Sequence, residues 1–430
     1  MPTATALRLL RVWRNLRPAH ARAARGRRRF APGGALRPLE ERLCLSAAAP
    51  YKVPLELVNV AKPGSGAKEY KLGIYVGIGG GAPKLYEFDT GGKGFWASYA
   101  SNPRGGQWWG AYRQTGVRNL NITYSSGNQF LATKVSGSVQ LYREDSPGHY
   151  SMVVETVGDV DMAQIVRYTD LRDAKKAARW NADLRKGAPP LERDFYGDFG
   201  ASLEPIGATA RGTIYSVLPQ IPMPEGLTPG FIVHVGALGD GTQPYLQIGL
   251  TDQDLQAFDT TLPMNRDTQA GQTRYPVTGV PTYSEQVANA DVSWRDPKTG
   301  LVQRYHDVGW TLDTGAPPVT VWQGSRISVH PSFLRKPSRS QGYAVGAFKN
   351  GLAFEVHAAP LNPSTPEVRL SIDPTGSSPG VDAVQTSYHS TGTMGQNYVN
   401  TGILTFTRYD VMFDLRDGLV GFRPADEPLP

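Results

Sequence analysis

Lys84-Leu85-Tyr86-Glu87-Phe88-Asp89-Thr90-Gly91 and Val308-Gly309-Trp310-Thr311-Leu312-Asp313-Thr314-Gly315 are two stretches of one kind, a short apolar strand running into Asp-Thr-Gly. The triplets lie 224 residues apart in a chain of 430. Upstream of the first, residues 70–78 read as a strand and Gly79-Gly80-Gly81-Ala82-Pro83 as a turn, so a hairpin delivers Asp89 to a strand end. A single Asp-Thr-Gly is an ordinary turn sequence. Two of them, each after an apolar strand, are an internal repeat.

The repeat makes chemical sense. Two carboxylates that face one another across an interface cannot both ionise cheaply, so they hold one proton between them. The ionised member can then take a proton from a bound water while the protonated member gives one to a carbonyl oxygen. Glycine after Asp-Thr lets the backbone turn sharply and approach its twin, and the threonine hydroxyl can brace the opposite loop.

Further stretches point the same way. Phe88-Asp89-Thr90-Gly91-Gly92-Lys93-Gly94-Phe95-Trp96 resembles the first active-site loop of the pepsin-like aspartic peptidases, with Trp96 seven residues after the Asp. Ile122-Thr123-Tyr124-Ser125-Ser126-Gly127 resembles the tip of that family's flap. Phe231-Ile232-Val233-His234-Val235 with Tyr245-Leu246-Gln247-Ile248-Gly249 is similar to the strand pair closing the first lobe. Residues 402–414 with Val420-Gly421-Phe422 are similar to the C-terminal strands. The resemblance runs in the right order from Tyr51 to Pro424.

It implies an all-β, bilobal pepsin-like fold with a cleft between two related lobes. Residues 1–50 form a basic leader or propeptide-like segment, 51–257 a first lobe and 258–430 a second. Asp89 and Asp313 are the implied catalytic pair, supported by Thr90, Gly91, Thr314 and Gly315. Tyr124 caps the substrate with Trp96 as its hydrogen-bond partner. The implied partner is an extended polypeptide; no metal or organic cofactor is implied, and a monomer is expected.

The departures from the pattern are specific. The hydroxyl residue expected after each triplet is replaced by Gly92 and Ala316. Two apolar residues and a Gly are expected beside each triplet, and the nearest stretches are Asp198-Phe199-Gly200 and Asn400-Thr401-Gly402. Glu87 takes an apolar position, and the family's usual disulfides are missing. Without side-chain hydroxyls at 92 and 316 the pair should be less acidic, giving a mildly acidic to neutral optimum. The same departures motivate the alternative, a weak or inactive pepsin-fold protein that binds peptides or proteins. A carbohydrate-binding surface protein is a third class, with no need of the two Asp.

Composition bounds these readings. Forty-eight Gly, 34 Pro and 10% aromatic residues, with short apolar runs between turns, describe a β-rich globular chain. No apolar run reaches the length of a spanning helix. The net charge of +7 belongs to the tail: residues 1–50 hold eleven Arg against Glu40 and Glu41, and the remaining 34 basic and 36 acidic residues leave the body slightly negative. A nucleic-acid-binding body would need a basic excess in the folded part. Cys44, the one cysteine, lies in the tail, so the body holds neither disulfide nor Cys-ligated zinc.

The tail alternates Leu7, Leu9, Leu10, Val12, Trp13 and Leu16 with Arg8, Arg11, Arg14 and Arg17, the pattern of a basic amphipathic helix. Residues 39–50 look like the end of atypical leaders on some exported bacterial surface proteins, so export to the cell surface or medium is expected. Residues 170–185 read as an Ala- and charge-rich surface helix ended by Gly187 and Pro189, a candidate for partner recognition. Trp108-Trp109 reads as an exposed aromatic pair. Gly376-Ser377-Ser378-Pro379-Gly380 fits a serine-nucleophile pattern but lacks the strand before and the helix after it. Gly77-Ile78-Gly79-Gly80-Gly81-Ala82 resembles a dinucleotide loop, but Pro83 and a strand follow where a helix must start. The seven His are scattered without metal-ligand spacing.

Overall fold

A computed structural model describes residues 48–425, apart from 62–63, 65–68, 104–105, 125, 172, 188–192, 207–211, 237–240, 268–272, 318, 324–326, 328, 341–342, 350, 373–384 and 390–396. The basic leader and the Ser377 stretch lie outside the described residues. The described residues from 48 to 425 belong to one compact unit.

Apolar runs punctuated by Gly, Pro and Asn have too little length for long helices and fold as strands. Among the described residues they assemble into three sheets, of eleven, nine and six strands. The fold is all-β, bilobal and pepsin-like, as the resemblance implies.

Each lobe sheet is built around the same device. In the first, strand Lys84–Asp89 ends on the first Asp-Thr-Gly triplet, and the chain leaves it to form Phe95–Ser98. The short strand Gly197–Gly200 slots between these two, parallel to the first (Phe199↔Phe88, Gly200↔Asp89) and antiparallel to the second (Asp198↔Trp96). In the second lobe, Tyr398–Asn400 slots between Val302–Thr311 and Thr320–Gln323, parallel to the former (Thr311↔Asn400) and antiparallel to the latter (Val321↔Val399). Asp198 and Asn400 therefore hold equivalent places, each beside the residue two before its aspartate. Gly200 is required by this insertion, since a β-carbon there would lie 2.3 Å from the Gly94 carbonyl oxygen.

The six-stranded sheet joins the lobes. Tyr51–Pro54, Thr228–His234 and Tyr245–Leu250 come from the first half, and Thr260–Pro263, Tyr409–Asp414 and Leu419–Pro424 from the second. The halves meet where Thr228–His234 pairs with Tyr409–Asp414 (Phe231↔Phe413), whose rings stack at 4.6 Å between centroids. Above this seam Trp310 lies flat on Phe422, with centroids 5.4 Å apart, and its indole donates to the Thr401 hydroxyl at 2.8 Å.

The helix expected near residue 170 begins at Ala174, capped by the Asp173 carboxylate accepting from Lys176 N at 2.9 Å, and ends at Arg185. It is docked on the sheet. Trp180 is buried edge-on against Tyr168 at 5.1 Å, and the Asn181 side chain pairs with both backbone groups of Tyr168. Trp108 and Trp109 are buried, contrary to the exposed pair expected; the Trp109 indole donates to Ser98 O at 2.8 Å. Their loop is drawn inward by glycines, because a β-carbon on Gly79 would lie 1.9 Å from Ala111 O. Among the described residues, no helix is long and apolar enough to cross a membrane.

The edge strand Tyr51–Pro54 buries Val53 completely and pairs with Tyr245–Leu250. A chain begun at Tyr51 is expected to fold cooperatively. A chain begun at Leu55 should lose about 1.5–3 kcal/mol from the burial of Val53 alone. Urea unfolding midpoints of the two compare them directly.

Candidate active site

The paired strand ends bring both triplets to the lobe interface, where they lock together by reciprocal hydrogen bonds. The Thr90 hydroxyl donates to Leu312 O at 2.6 Å, and the Thr314 hydroxyl donates to Phe88 O at 2.6 Å. In return Thr314 N donates to the Thr90 hydroxyl at 3.0 Å, and Thr90 N to the Thr314 hydroxyl at 3.1 Å. Four bonds are thus related by the internal twofold, and both threonines are buried.

This lock forces the aspartates together. A β-carbon on Gly91 would lie 2.4 Å from the carboxyl carbon of Asp313, and one on Gly315 would lie 2.3 Å from that of Asp89. Each carboxyl rests on the bare backbone of the opposite triplet, which only glycine permits. The Asp89 carboxylate accepts from Gly91 N and Gly92 N, both at 2.8 Å, and Asp313 accepts from Gly315 N at 2.8 Å. Burial, then the charges of Asp313, Asp198 and Glu87, and a hydrogen bond shared with Asp313, hold the Asp89 carboxyl well above the usual carboxylate range.

Of the residues anticipated from sequence, Asp89, Thr90, Gly91, Asp313, Thr314 and Gly315 converge here. Tyr124 stands at the tip of the hairpin formed by Leu120–Thr123 and Asn128–Gly137, closed by Tyr124 N to Asn128 O at 2.8 Å. Its hydroxyl does not meet Trp96. It donates to the Asp198 carboxylate, and the fully buried Trp96 indole donates to Lys93 O at 2.9 Å. Trp96 underlies the flap through Phe130, 6.3 Å from Trp96 and 5.4 Å from Tyr124 between centroids.

Four further residues stand out in the structure. Asn400 donates from its amide to Asp313 Oδ2 at 2.5 Å, while its own carbonyl accepts from Gly402 N at 2.9 Å. Asp313 thus has a side-chain donor although Ala316 cannot supply one, which corrects the expectation of a pair without such donors. Asp198 holds the matching place beside Asp89. A serine at position 92 would not fit, since a β-carbon there meets Asp198 Oδ2 and Asp89 Oδ2, both at 2.8 Å. Lys93 joins the lobes at the edge of the site, bonded to Glu204 at 2.6 Å and to Glu285 at 2.9 Å. Glu87, odd for its place, is paired with Lys71 on the adjacent strand at 2.7 Å. Asp198 and Asn400 were visible in the sequence only as misfits in an apolar pattern.

No family model matches the sequence, and no curated protein matches it. Among solved structures, an aspartic proteinase from Irpex lacteus superposes with a TM-score of 0.48 at 14% identity, covering 88% of this chain and 98% of that one. Basic 7S globulin from soybean superposes with a TM-score of 0.43 at 13% identity, covering 88% and 99%.

Thr314→Val keeps the side-chain shape but strips Phe88 O and Thr90 N of a buried partner, and should lower stability by about 2–4 kcal/mol. Denaturant unfolding measures it. Gly92→Ser should destabilise by about 1–3 kcal/mol through overpacking, with no new hydroxyl bonded to Asp89 in its crystal structure.

Proposed function

We propose that this protein is an aspartic endopeptidase that hydrolyses peptide bonds in an extended polypeptide bound between its lobes. The observation that carries the reading is the reciprocal threonine lock, which seats Asp89 and Asp313 on one another's triplet glycines in a buried site. Two acids so placed share a proton.

The steps follow from that sharing. Water bound between the carboxyls gives a proton to the ionised member as its oxygen adds to the scissile carbonyl carbon. The protonated member gives its proton to the carbonyl oxygen, and a tetrahedral diol forms. The C–N bond then breaks as the amine nitrogen takes the proton that came from water, while one diol hydroxyl returns its proton to the other carboxylate and leaves a carboxylic acid. The dyad returns to its starting charge. Backbone donors at Gly91, Gly92 and Gly315 and the Asn400 amide keep the carboxyl planes fixed throughout. Tyr124, half-buried at the hairpin tip, caps the substrate, whose backbone adds as a strand to the hairpin edge. Trp96 supports that cap from below, and the likeness of residues 39–50 to exported leaders supports export of the protein.

A second reading is peptide binding without turnover. It draws on Asp198, a third buried acid next to Asp89, which raises the number of protons the site retains.

Asp89→Asn and Asp313→Asn should each abolish cleavage of denatured casein, by at least about 10³-fold, while the thermal midpoint stays within a few degrees. Wild type should be blocked by a statine-containing peptide. Turnover retained in either variant would remove the dyad; no turnover at any pH from acid to neutral, with the statine peptide still bound, would select the second reading.

A further inference from the structure

Asp198 is the third carboxyl of this site, and nothing in the dyad chemistry uses it. It lies on the inserted strand Gly197–Gly200, opposite Glu87 on one side and Trp96 on the other. Only 4% of it is exposed. One oxygen accepts the Tyr124 hydroxyl, and the other has no hydrogen-bond partner among the described residues. A carboxyl in such a place costs folding free energy that an apolar residue would not, so its presence asks for a return elsewhere.

Two observations point to that return. The internal twofold places Asp198 where Asn400 stands in the other lobe, and Asn400 bonds directly to Asp313. The carboxyls of Asp198 and Asp89 also crowd the bare face of Gly92 from two sides, each 2.8 Å from where a β-carbon would be.

We propose that Asp198 is a positioning residue of the peptidase site, anchoring the flap through the Tyr124 hydroxyl and standing beside Asp89 as Asn400 stands beside Asp313. This rests on the peptidase reading. The anchor replaces the Tyr124–Trp96 contact that the sequence resemblance implies, and it ties the position of the flap to the charge of the acid cluster.

The groups facing Asp198 set the sign of that tie. Glu87, Asp89 and Asp313 are acids, Lys71 is a cation, and Tyr124 is a neutral donor. Burial, then Glu87, hold the Asp198 carboxyl well above the usual range, against the opposing pull of the Tyr124 hydrogen bond and Lys71. The charge of Asp198 is one of those that raise Asp89, so removing it lowers the pH at which Asp89 ionises. Ionised Asp198 is also the stronger acceptor for Tyr124, so the anchor tightens as pH rises.

The test uses the full chain with Asp198→Asn, Asp198→Leu and Tyr124→Phe. Asp198→Asn keeps the shape and removes the charge. Its alkaline limb of kcat/KM, or of statine-peptide affinity, should move toward acid by about one pH unit. A limb that stays in place overturns the proposal. Asp198→Leu and Tyr124→Phe should each lower kcat/KM by about tenfold, and the double variant should be no worse than Asp198→Leu alone, because Tyr124→Phe breaks only a bond that Asp198→Leu already removes. Additive losses overturn it, and Tyr124→Phe removes one hydroxyl only, so folding does not confuse the result.

A further readout separates this proposal from the peptidase reading. Carboxyl 13C NMR with labelled aspartate follows Asp89 without substrate. Its titration should fall to lower pH in Asp198→Asn, and an unchanged titration overturns the role of Asp198. Absence of both turnover and statine-peptide binding in wild type would sink the peptidase reading and leave the NMR titration to decide Asp198.

Discussion

The hydroxyls of Thr90 and Thr314 each donate to a carbonyl of the opposite turn and accept the opposite amide, and the rest of the site depends on this exchange. The bonds are buried, so losing any of them leaves a polar group without water or partner. That penalty fixes the distance between the lobes where the chemistry would occur. The six-stranded sheet fixes the same relation at a larger scale, since Thr228–His234 and Tyr409–Asp414, drawn from the two halves, are hydrogen-bonded neighbours. The Lys93 bridge to Glu204 and Glu285 adds a third tie at the edge of the site.

With the lobes fixed, the acids have little freedom. Gly91 and Gly315 lack the β-carbon that would hold the carboxyls apart, and backbone N–H groups of the same turns aim each carboxylate. The inserted strands then add one polar side chain each. Asn400 bonds Asp313 directly, and Asp198 stands near Asp89 while holding Tyr124. The polar misfits of the two insertions thus take equivalent places beside the two acids but make different contacts, and the bare face of Gly92 leaves room for the carboxyls of Asp198 and Asp89.

The fold and the convergence of the two triplets were legible in the sequence because they rest on short local signals: apolar strands, a turn and a triplet, repeated. The roles of Asp198, Asn400 and Glu87 were not legible, because each depends on a neighbour distant in sequence. Glu87 is explained only by Lys71 across the sheet, and Asn400 by Asp313, 87 residues away. Tyr124 was found from its loop, but its partner was misassigned, because Asp198 comes between it and Trp96 only in three dimensions. Trp108 and Trp109 misled for a similar reason: a loop rich in polar residues and glycine reads as exposed, while its glycines in fact let it press against the hairpin turn.

The most direct measurement is a crystal structure of the protein with a statine-containing peptide. The account predicts the statine hydroxyl between the two carboxyls, within hydrogen-bond reach of Asp89 and Asp313 at once, and the peptide backbone paired with the hairpin that carries Tyr124. A peptide bound away from the two triplets, or a hydroxyl touching neither aspartate, would contradict it.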